Sequence, residues 1–456
     1  MGGHASALGN RLARHRRRRF RPYAVWICPS VTLGAMVLGG RGSCVEGHTQ
    51  TAESLFDTAL RLRQPSMKNR ISHKAGFMIN ALVDRSSYPS LNDCVYLNQA
   101  SLGLIGQPAV QSMHEFLDNT ARHGNLRMTD EEEVGFFESL RQRGARLLNC
   151  HADQLAITAS ASELLGQLPF LIRPTSGSSI VAVATDFPAV TRPWIRYAAE
   201  NDCSLRFVDD IATENLTDRL IDGIDSRTAV VAVSSVQFST GSMVDVPRLR
   251  EACARAGAKL VVDATQAAGI LKVDSQRWNA DAVVTSGYKW LGGHGGVALS
   301  AVSPSLLEQD PPLPGWFGTY SPFDFEATRL HFAADARRFT QSTMSYISMA
   351  GLATALDHLL PLRESRLETH SRRLSSRLIK GAHAHGWTPF RALDDASASP
   401  HIVSLTHAEL GAERATDALR RNRIVCGVRN GRIRISLAPY NNSVDIDALI
   451  DVLASV

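Results

Sequence analysis

A lysine buried in an apolar environment is a nucleophilic amine, and this chain of 456 residues holds a candidate for one. Lys289 sits in TSGYKWLGGHGG, directly after the apolar run AVVT at 282–285. Apolar and glycine neighbours at the C-terminal end of a core strand do not suit a solvated lysine. Burial there lowers the pKa of the amine and frees its lone pair. Upstream, Asp263 follows an apolar strand in VVDATQAAG. Ligands of open α/β sheets bind outside such strand ends. A carboxylate there can pair with a buried cation, and Gln266, three residues on, can reach a neighbouring polar atom. Taken singly, each has a plainer reading, Asp263 as a helix cap and Lys289 as an ion-pair partner. In this order and 26 residues apart, they form a specific pair.

The elements that would position this pair alternate in type. Short β-rich runs lie at Ser179–Ala184, Ser204–Val208, Ala229–Ser234, Lys259–Val262, Ala282–Thr285 and Gly296–Ala301. Helical patterns separate them, such as Val246–Ala256 before Gly257. Near-continuously apolar strands spaced by helices predict an α/β fold with a mostly parallel sheet covered on both faces. After about residue 345 the texture changes. A long helical segment, Tyr346 to Ala382, precedes a strand at His401–Leu405, a helix at Leu410–Arg421, strands at Ile424–Val428 and Arg432–Leu437, and a last helix. This predicts a smaller C-terminal α+β domain. The expected divisions are a basic extension at 1–70, a segment over the active site at 71–105, a large domain at 106–345 and a small domain at 346–456.

These motifs, in this order, resemble the class V aminotransferase family of pyridoxal-phosphate enzymes, which have the type I fold. The resemblance covers roughly residues 94 to 456 and is nearest the isopenicillin N epimerase-like, selenocysteine lyase-like and kynureninase-like branches. It implies pyridoxal 5'-phosphate as cofactor and no metal. Lys289 would form the Schiff base with the cofactor aldehyde and then act as base on the substrate α-proton. Asp263 would keep the pyridine nitrogen protonated, and Gln266 would meet the ring hydroxyl. Ser286 and Tyr288 occupy phosphate-side positions. ITASASELLGQ at 157–167 resembles the phosphate turn at a helix N-terminus, with Ser160, Ala161 and Ser162 as the cradle. Its plainer reading is a capping turn.

ATDFPAVTRPW at 184–194 aligns with the segment whose aromatic residue stacks on the cofactor ring, here Phe187. Desulfurases have histidine there, so phenylalanine points away from them. NGRIRISLAPYNN at 430–442 matches the signature whose arginine grips the substrate α-carboxylate, here Arg434. Arg429 and Arg432 are expected to be structural or flanking. YLNQASLG at 96–103 resembles the loop over the site and offers Asn98, Gln99 and Ser101 as pocket residues. RRFTQSTMSYISMAGL at 337–352 resembles the segment through which a partner subunit reaches the phosphate, with Thr343 as the contact, which implies a homodimer with shared active sites. GWFGT at 315–319 resembles a loop of the kynureninase-like and epimerase-like branches, and Trp316 and Phe317 suit dimer-interface packing equally. Cys426 is expected inside a strand, buried and inert, which argues against a protein-bound persulfide.

The expected function is a transformation of a small amino acid through an external aldimine and α-carbanion, by β-elimination of the C–S type or an epimerase-like reaction. An aminotransferase, a kynureninase-like hydrolase and a non-catalytic cofactor-binding regulator are the alternatives. Charge does not favour a nucleic-acid partner, although the net charge is +5. Residues 1–70 carry eleven Arg and one Lys against Glu46, Glu53 and Asp57, and the rest of the chain carries 37 basic and 41 acidic residues. The positive charge belongs to the N-terminal segment, outside every motif. There, Arg17 and Arg18 precede an apolar stretch at Tyr23–Gly40, shorter than the roughly 20 residues of a membrane span. The expected reading is an over-extended start upstream of Met67 or Met78, with twin-arginine export as the alternative. Seven cysteines without C-x-x-C or zinc spacing suit a cytoplasmic protein, and no stable membrane insertion is expected.

Overall fold

The computed structural model describes residues 78–456 apart from Leu393. The readings of the basic N-terminal segment fall outside these residues. The described part belongs to one compact unit. Strand β1 (Val95–Tyr96) comes first, followed by helices α1 (Gln107–His123) and α2 (Asp130–Leu148). Seven strands then build the main sheet: β2 (Leu155–Thr158), β3 (Ser179–Val183), β4 (Ser204–Val208), β5 (Thr228–Ser234), β6 (Lys259–Asp263), β7 (Ala282–Ser286) and β8 (Ala298–Val302). Their spatial order is β2-β8-β7-β6-β5-β3-β4. All neighbours are parallel except β8, which runs antiparallel to both β7 and β2.

Why these strands lack a polar face is visible in their alternation. Val181, Val183, Val231, Val233, Leu260, Val262 and Val283 enter one core with Phe137 and Leu140 of α2. Their neighbours Ile180, Val230, Ala232, Val261, Ala282 and Val284 enter another with Leu164, Leu168, Val190 and Trp194. The latter four lie on helices α3 (Ala161–Ile172) and α4 (Pro188–Glu200). Side chains at successive strand positions point to opposite faces, so both faces must be covered and both must be apolar.

A four-stranded antiparallel sheet follows, ordered β12-β13-β10-β9, with β9 (Trp387–Pro389), β10 (Ile402–His407), β12 (Gly427–Arg429) and β13 (Arg432–Ser436). Two details differ from the sequence expectation. The long helical segment is two helices, Tyr346–Leu359 and Glu364–His383, with Pro361 between them. Proline lacks the N–H and obstructs the preceding turn. The strand at Ile424–Val428 is also interrupted. Ile424–Val425 forms β11 and pairs with β1, whereas β12 turns to β13, so Cys426 marks the step between two sheets. Among the described residues no helix is long and apolar enough to cross a membrane.

One buried ion pair links the two sheets. Asp210, just after β4, meets Arg391, just after β9, at 2.7 Å, and their side chains are 0% and 4% exposed. Arg391 also donates to Ser242 Oγ at 2.8 Å and to Glu214 O at 2.6 Å. Removing one member leaves the other charge buried and unanswered. Arg391→Ala is expected to lower unfolding stability by about 3–5 kcal/mol. Chemical denaturation measures this, and a loss below about 1 kcal/mol, the range of an exposed pair, would contradict it.

Candidate active site

The parallel strands bring their C-terminal ends to one edge, and the sequence pair lies there. Asp263 ends β6 and Lys289 follows β7. They are 5% and 6% exposed. Burial raises the Asp263 carboxyl above its ordinary range, opposed by bonds from Thr265 and by the charge of Lys289. Thr265 N–H donates to Asp263 Oδ1 at 2.7 Å. Burial pulls the Lys289 amine down to about 8; Asp263 opposes this, and Arg434 and Arg429 add to it. Acid and amine act on each other's charge, yet among the described residues no ion pair of 4.0 Å or less joins them.

Phe187 supplies an apolar surface next to the amine. Lys289 Nζ lies 5.1 Å from the centroid of the Phe187 ring and 5.7 Å from that of Tyr288. Phe187 and Ser162 line a cavity of about 810 Å³. Phe187 is held by its neighbour Asp186, which the sequence reading passed over. Asp186 accepts from Phe187 N–H at 2.6 Å, Ser234 N–H at 2.7 Å, Ser234 Oγ–H at 2.5 Å and Gln237 Nε2 at 3.1 Å. Burial pushes its carboxyl up to about 6 against these four donors. Its bonds tie the loop after β3 to the end of β5, where the strand order reverses, the usual ligand position in such sheets.

Gln266 is fastened at both ends of its amide. It donates to Ala100 O at 3.1 Å and accepts from Trp290 Nε1 at 2.7 Å, which leaves one N–H of the amide. His401, also unforeseen, bonds Gln266 O through Nε2 at 2.6 Å and packs edge-on against the Trp290 ring at 4.6 Å. Burial pulls its pKa down to about 4. A neutral histidine therefore braces the turn carrying Gln266. Ser286 is buried, and its N–H donates to Thr265 Oγ1 at 3.2 Å. Ser160 caps α3 by accepting from Glu163 N–H at 3.2 Å, with Ala161 as the first helical residue.

Gln99, expected as a pocket residue, is 4% exposed, and its amide is engaged by the protein. Nε2 donates to Lys289 O at 2.8 Å, while Oε1 accepts from Tyr440 Oη at 2.7 Å and Leu104 N–H at 3.2 Å. It holds the backbone of the lysine in place. Gly103 belongs to the same contact, because a Cβ there would collide with Lys289 O. Asn98 and Ser101 do reach the arginine site. Arg434, 1% exposed, donates to Phe238 O at 2.8 Å, Asn98 Oδ1 at 3.4 Å and Ser101 Oγ. Its buried Nε has no partner among the described residues. Arg429 also donates to Ser101 Oγ, at 3.0 Å. Arg432 stacks on Phe390 at 4.7 Å, as a flanking residue would.

The remaining candidates separate. Phe317 is fully buried, 4.5 Å from the Phe137 ring, and belongs to the core. Trp316 is 38% exposed and Thr343 is exposed. Burial pushes the Cys426 thiol up to about 12, so it is not a thiolate at neutral pH.

The donor set fits pyridoxal phosphate. An amine of lowered pKa suits its aldehyde, a buried carboxylate its ring nitrogen, a ring face its pyridine and a helix N-terminus its phosphate. The unpartnered Arg434 Nε suits the carboxylate of an amino acid.

Comparison with known proteins agrees. The chain is 25% identical over 372 residues to the uncharacterized aminotransferase YcbU of Bacillus subtilis, covering 81% of this chain and 96% of that protein. It is 26% identical over 385 residues to a kynureninase of Bacillus anthracis, covering 79% and 88%. The solved cystine C–S lyase C-DES superposes with a TM-score of 0.72 at 20% identity, covering 80% of this chain and 99% of that one. The mostly parallel sheet with its smaller second sheet is the type I fold. The profile described as Aminotransferase class-V matches residues 95–449, and the chain belongs to that family of pyridoxal-phosphate enzymes.

Proposed function

We propose that the protein is a lyase that removes a β-substituent, of the C–S type, from a small amino acid. The observation that carries this is the joint burial of Lys289, Asp263 and Arg434, with Arg434 Nε unpartnered. Lys289, its amine pulled down to about 8, would hold the cofactor through its aldehyde, and the free amine would take the proton from the substrate α-carbon. Asp263 would pair with the ring nitrogen, and Phe187 would offer its face to the ring. Arg434 grips the α-carboxylate and orients the bond to be broken. When bound, pyridoxal phosphate supplies the electron sink for that bond breaking.

The preference for elimination has two supports. Cys426 is a poor sulfur acceptor, so the leaving group departs without an enzyme thiol. The chain also resembles C-DES, a cystine C–S lyase. We place the enzyme in the cytoplasm as a homodimer in which the exposed Thr343 reaches the partner's phosphate site. We retain the division into large and small domains near residue 345.

The test is a panel of amino acids and S-substituted cysteines with purified holoenzyme. Pyruvate and ammonia are expected. Keto-acid formation that requires an acceptor, or solvent deuterium at the α-carbon with racemisation and no pyruvate, would replace this reading.

A further inference from the structure

Strands β12 and β13 pair with Gly427 opposite Arg434 and Arg429 opposite Arg432. Residues opposite one another, or two apart on a strand, share a face. One face of this hairpin therefore carries three arginines and a glycine. The glycine makes room, since a Cβ at position 427 would lie 3.3 Å from Arg434 Nη2 and 3.1 Å from Asn98 Oδ1. Arg432 is occupied by the Phe390 ring. The other two converge on one hydroxyl, Ser101 Oγ.

Like charges so placed on a sheet destabilise it. Among the described residues neither Arg429 nor Arg434 has a carboxylate partner within 4.0 Å. Ser101 Oγ is a neutral acceptor and cannot offset two charges. Both guanidinium groups also bear on Lys289, so they belong to the same electrostatic site. The α-carboxylate of an amino acid answers one of them. The other remains, in a half-buried position whose solvation is incomplete.

We propose that Arg429 recognises a second anionic group on the substrate, so that the preferred amino acids carry an acidic side chain or an acidic substituent. This rests on the proposed function for placing the α-carboxylate at Arg434. A planar fork facing an oxyanion supplies charge and direction together. Within the cysteine panel, substituents ending in a carboxylate are then the better substrates.

The experiment is calorimetric titration of the full-length holoenzyme with succinate and with butyrate, which differ by one carboxylate. Succinate is expected to bind about tenfold tighter, the scale of one charge-assisted contact. Arg429→Gln should remove the preference and leave the butyrate constant within about twofold, and Arg429→Lys should keep part of it. Equal weakening of both probes by Arg429→Gln would mean that both arginines grip one carboxylate, and the proposal falls. It also falls if the native protein shows no preference. If Arg429→Gln does not fold, Arg429→Lys decides, since a preference unchanged from the native protein would exclude the fork contact. Borohydride reduction of the same samples, with the mass increase located on Lys289, checks the cofactor reading separately. A preference without that label would leave the second anion site standing and overturn the lyase reading.

Discussion

Lys289→Ala is expected to lower turnover by roughly three to four orders of magnitude, the upper range for removing a positioned general base. It should also abolish the borohydride-stable mass increase in the peptide that carries residue 289. The reason is local. The amine sits 6% exposed at the edge of a parallel sheet, and burial brings its pKa down to about 8. Near neutral pH a useful fraction of the side chain is then the free amine, whereas an ordinary lysine is almost wholly charged. In cofactor-free native protein, uptake of pyridoxal phosphate should accelerate as pH rises through about 8, because deprotonation exposes the lone pair. Binding of the cofactor through its phosphate and ring should survive the substitution in weakened form, since Asp263, Phe187 and the α3 N-terminus are untouched. Undiminished turnover in Lys289→Ala would exclude the assignment.

Arg434→Gln is expected to raise KM for the amino acid by two to three orders of magnitude, within the cost of about 2–5 kcal/mol for truncating a buried charge contact. A smaller effect on kcat should follow, because the α-carboxylate is bound alike before and during reaction. The stability of the protein should not fall with it. Arg434 is 1% exposed, burial and the Arg429 charge lower its pKa to about 10, and its Nε is unpartnered. Removing such a charge relieves desolvation and repulsion, which offsets the lost bonds to Phe238 O and Ser101 Oγ. Substrate binding and melting temperature should therefore move independently. A structural arginine would show the reverse pattern, a lower melting temperature with KM unchanged.

The comparison of sequence and structure turns on separation along the chain. The nearness of Asp263 to Lys289 was legible because one ends and the other follows a short apolar strand, and adjacent parallel strands place their ends together. The helix start at Ser160–Ala161 was legible as a local capping signature. Arg434 was identified by its motif, with the residues around it as context. By contrast, the contacts of Gln99 were not legible. Its amide bonds Lys289 and Tyr440, residues 190 and 341 positions away. Nothing in the local pattern distinguishes a glutamine that lines a pocket from one that braces a backbone. Asp186 and His401 went unnoticed because their partners, Ser234 and Gln266, belong to distant elements. Phe317, read as a loop or dimer-packing residue, lies in the core because its partner Phe137 is 180 positions away in the chain.

By itself, the sequence determined the alternation of strands and helices and the strand ends that carry Asp263 and Lys289, which follow from hydrophobic periodicity. The roles of the amine, the acid and one arginine came from the resemblance of their motifs to a family. Only the tertiary structure decided the charge state of that site and its second arginine. Burial, which sets the pKa of Lys289, is a property of the packed assembly. The meeting of Arg429 with Arg434 at Ser101 joins residues 328 positions apart through the approach of the N-terminal loop to the last sheet. That contact exists once the chain has folded, and it is what directs attention to an acidic substrate.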